Sequence, residues 1–203
     1  ENKSDAGYNA SVTDPFRGMP YYVADSYKSD WRNQYYDLRF RAATPLYWGR
    51  LSFGLEGGYQ ASLAAKQRDP RVDTRFYTLE LMPGLCYAIN SHHRLGANFL
   101  YASVKEDSQM GNSDSYTDQD YYELFGLGVA VKGIGAGRTT NYYGNRLGGA
   151  IQYNYAAANL NLLLEGAYSF KAETAEVSYS TPRKIGSVRD QLGEVAVTLY
   201  TIV

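Results

Sequence analysis

Apolar and polar residues alternate along this chain with period two over unusually long stretches. From Arg50 to Leu63, one parity carries Leu51, Phe53, Leu55, Gly57, Tyr59, Ala61 and Leu63. The other carries Arg50, Ser52, Gly54, Glu56, Gly58, Gln60 and Ser62. Successive side chains of a strand point to opposite faces, so the pattern predicts a strand with one apolar face; a helix would mix the two sets. The rhythm recurs in Tyr36–Thr44, Arg75–Ile89, Arg94–Ser103, Tyr121–Val131, Arg146–Tyr155, Leu160–Phe170 and Leu192–Val203. In Tyr121–Val131 it groups Phe125, Leu127, Val129 and Val131. Ordinary strands run ~5–6 residues, whereas tilted membrane strands need ~9–11. Most of these stretches fall in the longer class.

The connections alternate too. Pro45–Gly49, Asn90–His93 and Ala156–Asn159 read as short turns, and Ala64–Thr74, Lys105–Asp120 and Lys171–Gln191 as long polar loops. Short periplasmic turns opposite long extracellular loops are the arrangement of outer-membrane barrels. Consistent strand directions then require an extra strand after Val131, placed at Ile134–Thr140, which makes nine. Bacterial barrels carry even numbers, so either Met19–Lys28 supplies a tenth or the chain is a fragment of a larger barrel, as an end inside a strand pattern at Thr201-Ile202-Val203 suggests. The expected fold is all-β, an antiparallel transmembrane β-barrel with about 8–10 strands in this chain. Residues 1–34 read as a polar N-terminal segment or long loop and residues 35–203 as barrel strands.

Composition sharpens the choice of solvent. Tyrosine accounts for 21 residues against 7 phenylalanines, and its apolar ring and wet tip suit a boundary between oil and water. Tyr77 and Tyr87 share a face, ten residues apart. At ~3.3 Å per residue and a tilt near ~45° they stand ~23 Å apart along a barrel axis, close to the ~25 Å apolar band between aromatic girdles. Tyr36, Trp48, Tyr59, Tyr77, Tyr87, Tyr101, Tyr153 and Tyr168 are the girdle candidates. The opposite parity carries Arg39, Arg41, Glu56, Glu80, Arg146 and Glu165, which read as charges facing a lumen. An even-numbered loop at Pro45–Gly49 would set Arg39 opposite Glu56, and the turn at Ala156–Asn159 would bring Arg146 near-diagonal to Glu165. Such charges either hold the barrel together in pairs or line a selective pore.

The remaining features mostly exclude. A net charge of −1 gives no electrostatic case for nucleic acid. No apolar run approaches the ~18–20 residues of a membrane helix. A mean hydropathy of −0.44 is compatible with a barrel, where half of each strand faces a polar interior. The single cysteine, Cys86, forms no intrachain disulfide and reads as a small packed residue. The chain opens on polar Glu1-Asn2-Lys3-Ser4-Asp5; the signal peptide an exported barrel requires is expected either to have been removed or to lie outside this sequence.

His92 and His93 are adjacent and in a predicted turn, a poor metal site and too far from the long loops for a Ser–His–Asp arrangement there. Asp107, Asp114, Asp118 and Asp120 lack calcium-loop spacing. Gly133-Ile134-Gly135-Ala136-Gly137 lacks the strand-to-helix setting of a phosphate-binding loop. The expectation is therefore no catalytic residues, no metal and no cofactor, with outer-membrane lipid and envelope proteins as partners.

Asp69-Pro70-Arg71, Leu79–Ala88 and His93-Arg94-Leu95-Gly96 resemble stretches of an uncharacterised family of outer-membrane β-barrel proteins from Bacteroidetes. The resemblance runs from Tyr35 to the end of the chain. It implies a Gram-negative host, an outer-membrane location and members longer than this chain. It carries no agreed activity and hence no functional residues. The leading expectation is a channel, a structural element or a component of an envelope complex. Its rivals are a soluble β-sandwich or barrel binding glycans through tyrosines, and an outer-membrane barrel hydrolase.

Overall fold

The computed structural model describes residues 2–6, 9–114, 116, 119–126, 128–134, 138–178 and 181–201. They form strands and no helix. In chain order these are β1 (Asn2–Ala6), β2 (Asn9–Ala10), β3 (Tyr22–Asp25), β4 (Ser29–Ala43), β5 (Leu51–Lys66), β6 (Arg71–Ala88), β7 (His93–Gly111), β8 (Asp120–Leu124), β9 (Ala130–Ile134), β10 (Arg138–Ala157), β11 (Leu160–Ser178) and β12 (Pro182–Thr201). Eight make one antiparallel sheet in the order β1-β4-β5-β6-β7-β10-β11-β12, and four make a small second sheet, β2-β3-β8-β9. The large sheet's eight strands lie within the expected 8–10, without closing into a barrel among the described residues, and β3 falls inside the anticipated Met19–Lys28 strand but belongs to the small sheet. The boundary drawn between residues 34 and 35 falls inside β4.

Local chemistry closes the short turns. At the β4–β5 turn, Trp48 and Gly49 adopt φ of 50° and 69°, and Leu51 N–H donates to the Tyr47 carbonyl at 3.0 Å. At the β6–β7 turn, Asn90 Oδ1 accepts from the backbone N–H of His92 and His93 at 2.9 and 3.0 Å, the side-chain mimicry that makes asparagine a turn residue. Ala157 pairs with Leu160 at the third turn.

The long loops are the first correction. The long strands run 15 to 20 residues, and they consume most of what read as loop. Only residues 67–70 separate β5 from β6, β7 continues to Gly111, and Lys171–Gln191 is mostly the paired ends of β11 and β12. The reason is an inversion of the alternation. Near the short turns, the apolar parity (Leu55, Leu81, Phe99, Leu147) is exposed and the polar parity lies on the other face. Nearer the opposite end, the first parity turns polar (Asp73, Arg75, Asp107, Asn141), while the second supplies buried Val72, Met110, Tyr142, Ala175 and Val177. A single-phase template loses the strand where the phase flips.

The second correction concerns Tyr121–Val131, which is a hairpin rather than one strand. Gly126 and Gly128 take φ of 78° and 79°, a region open to glycine. Phe125 N–H donates to the Val129 carbonyl at 3.0 Å, so β8 folds back on β9. Leu127 lies outside the described residues. The extra strand at Ile134–Thr140 is likewise not a unit: β9 ends at Ile134 and β10 begins at Arg138. Residues 135–137 of the glycine-rich stretch, and Ile202 and Val203 of the terminal pattern, lie outside the described residues.

The large sheet is curled. Arg41 of β4, Met82 of β6, Asn98 of β7, Gln152 of β10 and Leu163 of β11 line one cavity of 620 Å³. Strands lie ~4.8 Å apart, so a flat sheet could not bring the two ends of this set to one cavity. The small sheet and the segment leading to it pack on the same concave face, away from the short turns. There Val12, Met19, Tyr21, Val23 and Tyr121 meet Trp31, Val72, Met110, Tyr142 and Val177 in the core. The sheet stays open among the described residues: β12 pairs with β11 alone.

Candidate functional site

The concave face carries the densest chemistry, and most of it comes from residues that sequence patterning had assigned to loops. Arg17, on the segment between β2 and β3, reaches across four adjacent strands. Its guanidinium bonds Glu106 of β7 and donates to Glu173 Oε1 of β11 at 2.8 and 3.1 Å. It also lies 5.3 and 5.6 Å from the ring centroids of Phe76 on β6 and Tyr142 on β10. Both carboxylates are fully buried.

Buried charge is tolerated when its remaining lone pairs are satisfied. Glu106 Oε1 accepts from Thr13 N–H at 2.7 Å, Thr13 Oγ1 at 3.0 Å and Thr74 Oγ1 at 2.9 Å. Lys171 donates to the Arg17 carbonyl at 2.8 Å and stands 3.1 Å from Glu173 Oε2. Two cations and two carboxylates make the cluster neutral. Burial works against the charge on Arg17, but Glu106 and Glu173 outweigh it and hold the guanidinium pKa above its ordinary value.

A second buried pair anchors the far end of the same segment. Lys66, at the end of β5, donates to Asp25 Oδ1 of β3 at 2.6 Å, and neither side chain is exposed. Asn9 donates to the Tyr27 carbonyl at 2.7 Å and accepts from Trp31 Nε1 at 2.5 Å. Tyr21 donates to Glu123 at 3.0 Å, and burial with that carboxylate raises the phenol's pKa. Residues 9–25 are therefore fastened to the large sheet by neutral hydrogen bonds at Asn9, by ionic contacts at Arg17 and Asp25, and by apolar packing between them.

All six charges expected on the polar parity share the concave face, but their pairings differ from those expected. Arg39 sits opposite Gly58, and Arg41 opposite Glu56. Arg41 Nε lies 2.9 Å from Glu56 Oε2, and Arg39 Nε 3.1 Å from Asp37 Oδ1 on its own strand. The β4–β5 turn is two residues out of the register that an Arg39–Glu56 pair requires; parity, and hence face, is unchanged. Arg146 faces Lys171 and donates to Ser169 at 3.1 and 3.3 Å, while Glu165 faces Gln152 and accepts from it at 2.7 Å. The expected Arg146–Glu165 proximity therefore does not form. Glu80 sits opposite Gly58 and Ala102. Arg41, Glu56, Arg94, Asn98, Gln152 and Asn154, together with half-buried Cys86, line the cavity near the short turns.

The seven tyrosines expected in the girdles lie on the convex face. Tyr36, Ala61, Tyr77, Lys105 and Tyr143 form one cross-strand row. Lys105 Nζ sits 5.9 and 5.8 Å from the Tyr77 and Tyr143 ring centroids. This row is where the alternation inverts. Below it Tyr59, Tyr101 and Tyr168 stand among Leu38, Phe40, Leu55, Leu79, Leu81 and Phe99, all exposed. Tyr87 and Tyr153 fall in a second row with Leu51 and Leu95, near the short turns. Trp48 is at the β4–β5 turn and 89% exposed.

The remaining candidates stay dispersed. His93 Nδ1 shares a 2.6 Å hydrogen bond with Tyr153 Oη, and His92 contacts Ser91. Asp107 stands 3.4 Å from Lys105, Asp120 pairs with Lys132 at 2.8 Å, and Asp114 caps Tyr116 N–H at 2.9 Å. Asp118 lies outside the described residues. Among the described residues no three His, Cys, Asp or Glu side chains converge as metal ligands.

Fold and faces together define an all-antiparallel β protein with an exposed apolar convex face and a charged, partly filled concave one. The chain belongs to a family of unknown function, DUF6850, whose model matches residues 1–201. No curated protein and no solved structure matches it.

Proposed function

We propose that this sheet is wall of a membrane-spanning β-barrel in the outer membrane of a Gram-negative bacterium, with the convex face toward lipid and the concave face toward the lumen. In this reading it serves as a channel, a structural element or part of an envelope complex, and not as an enzyme. The carrying observation is the exposed apolar belt. It continues across the long strands from Leu38 to Val195 and is bounded by the Tyr36–Tyr77–Lys105–Tyr143 row on one side and the Tyr87–Tyr153 row on the other. Monomeric soluble proteins rarely leave apolar patches beyond a few hundred Å² in water. A belt of alternating strands with aromatic borders, over a polar interior, matches the demands of a bilayer. Above the belt the same face turns to Asp73, Arg75, Lys105 and Asp107, suited to headgroups and water.

Partition and labelling test this. The protein should fold only with detergent or lipid, and a bilayer-restricted photolabel should react at Leu55 and Leu81 but not at Asp73 or Gln109. Cooperative folding in plain buffer with no labelling would favour the soluble glycan-binding reading instead.

A further inference from the structure

The two sides of the large sheet end in long unpaired edges. β1 covers β4 at Ser29, Trp31 and Arg32, and Gln34–Ala43 has no outer strand partner among the described residues. The outer side of β12 has none from Pro182 to Thr201. Natural edges are blunted by proline, bulges, charged side chains or short strands; β4 has no proline but carries Asp37, Arg39 and Arg41, and β12 has proline only at its first position and one register shift at Ile185, which leaves Leu192–Thr201 regular. The convex side chains at these edges are well exposed, with Leu38 at 69% and Val195 at 87%, although Ile151 in mid-sheet reaches 71%. They lack lateral neighbours.

Strand direction limits what can supply the neighbours. Six antiparallel steps lead from β4 through β5, β6, β7, β10 and β11 to β12, so β4 and β12 run the same way. Direct closure would be a parallel pair. A second copy inserted in the same orientation would also bring its β12 alongside β4 in parallel. Only an odd number of additional strands closes the sheet with every pair antiparallel, and the total is then even, as in bacterial barrels. β1 gives the first one's direction. It runs antiparallel to β4, with Asn2 opposite Arg32 and Ala6 opposite Ser29, so polypeptide leading into β1 would rise along the bare edge of β4 from the short-turn end. One strand would not suffice. An eight-stranded barrel has room inside for side chains or one small ligand, whereas this concave face already holds the backbone of residues 9–25 and the β8–β9 hairpin.

We propose that the β4 edge is covered by polypeptide in line with β1, and that an odd number of added strands greater than one carries the sheet round to β12. This rests on the membrane reading, because bilayer lipid offers no partner for an unpaired backbone group.

Amide hydrogen exchange on the intact protein in lipid nanodiscs, with the copy number fixed by mass, tests it. Along Gln34–Ala43 and Leu192–Thr201, alternate N–H groups point away from β5 and β11. These should exchange as slowly as the inward set, at one copy per disc. A fast outward set would overturn the proposal, as would slow exchange that appears only with two copies. Photolabelling of Leu55 and Leu81 separates the two readings. Labelled side chains with fast edges would sink closure and leave the membrane reading standing. Slow edges in plain buffer, with no labelling, would support closure and sink the membrane reading.

Discussion

Lys66 and Asp25 meet as a fully buried ion pair, 2.6 Å from Nζ to Oδ1, at the junction of the large and small sheets. Asp25 Oδ1 also accepts from the Tyr27 backbone N–H at 2.9 Å. Removing one partner of such a pair strands a charge in a dry place, at a cost of ~3–5 kcal/mol, whereas replacing both with apolar groups of similar volume is often neutral. Lys66→Met should therefore destabilise strongly, and Lys66→Met with Asp25→Leu should recover much of the loss. Denaturant titration followed by Trp31 fluorescence measures this, since Trp31 is buried beside the pair. Additive losses in the double variant would mean the pair is not the unit that matters.

Arg17 should act as the fastening of residues 9–25 over the concave face. Arg17→Ala leaves Glu106 and Glu173 buried with one cation, Lys171, between them. The expected result is faster amide exchange and easier proteolysis between Val12 and Val23, with the β5–β6–β7 ladder unchanged. Adding Glu106→Gln should restore part of the protection, because it removes the uncompensated charge. Equal loosening throughout the sheet would make Arg17 a general stability residue instead.

Why Arg17 escaped the sequence while Arg41 did not is a matter of phase. Arg41 and Glu56 lie where the apolar parity faces outward without interruption, so alternation alone assigned them to the correct face. Register was out of reach, because the seven residues between Ala43 and Leu51 can close in more than one way, and the pairing moved by two positions. Glu106 and Glu173 lie beyond the inversion, where apolar Met110, Ala175 and Val177 appear on the parity that was polar below. Polar residues on both parities there read as loop. The partners that bury them come from residues 9–25, far away in sequence, and no local pattern announces that. Gly126 and Gly128 were visible, but the Phe125–Val131 alternation spoke louder than two glycines.

Two glycines should respond differently to a methyl group. A Cβ on Gly57 would come within 2.2 Å of the Phe40 ring, and one on Gly133 within 2.3 Å of the Tyr121 ring. Phe40 is 50% exposed and free to swing off, while Tyr121 is 4% exposed in the core. Gly57→Ala should be nearly silent, and Gly133→Ala should cost ~1–3 kcal/mol as an overpacking change. Thermal or denaturant midpoints decide it, and equal costs would mean that Phe40 is held in place by something packed on the convex face.

Two arginine substitutions on the convex face separate lipid from water as its solvent. Leu79 sits within the apolar belt, two residues from the Tyr77 row, and Gln109 lies on the same face beyond that row; both are exposed. In water, an arginine at either position would be a solvated surface residue with little effect. In a bilayer the two differ by depth: arginine at the midplane costs ~2–4 kcal/mol, falling to ~0–1 near the interface. Leu79→Arg, one same-face position inside the boundary row, should therefore impair folding into lipid vesicles by an amount between those two limits, while Gln109→Arg should fold as the parent does. Gly54→Ser belongs beside them as a control, since a Cβ there meets only the Ala42 carbonyl at an ordinary 3.7 Å. If Leu79→Arg and Gln109→Arg fold equally well into vesicles, the belt does not face lipid, whatever its composition suggests. If both fail while Gly54→Ser succeeds, the boundary lies farther from the short turns than the Tyr77–Lys105–Tyr143 row.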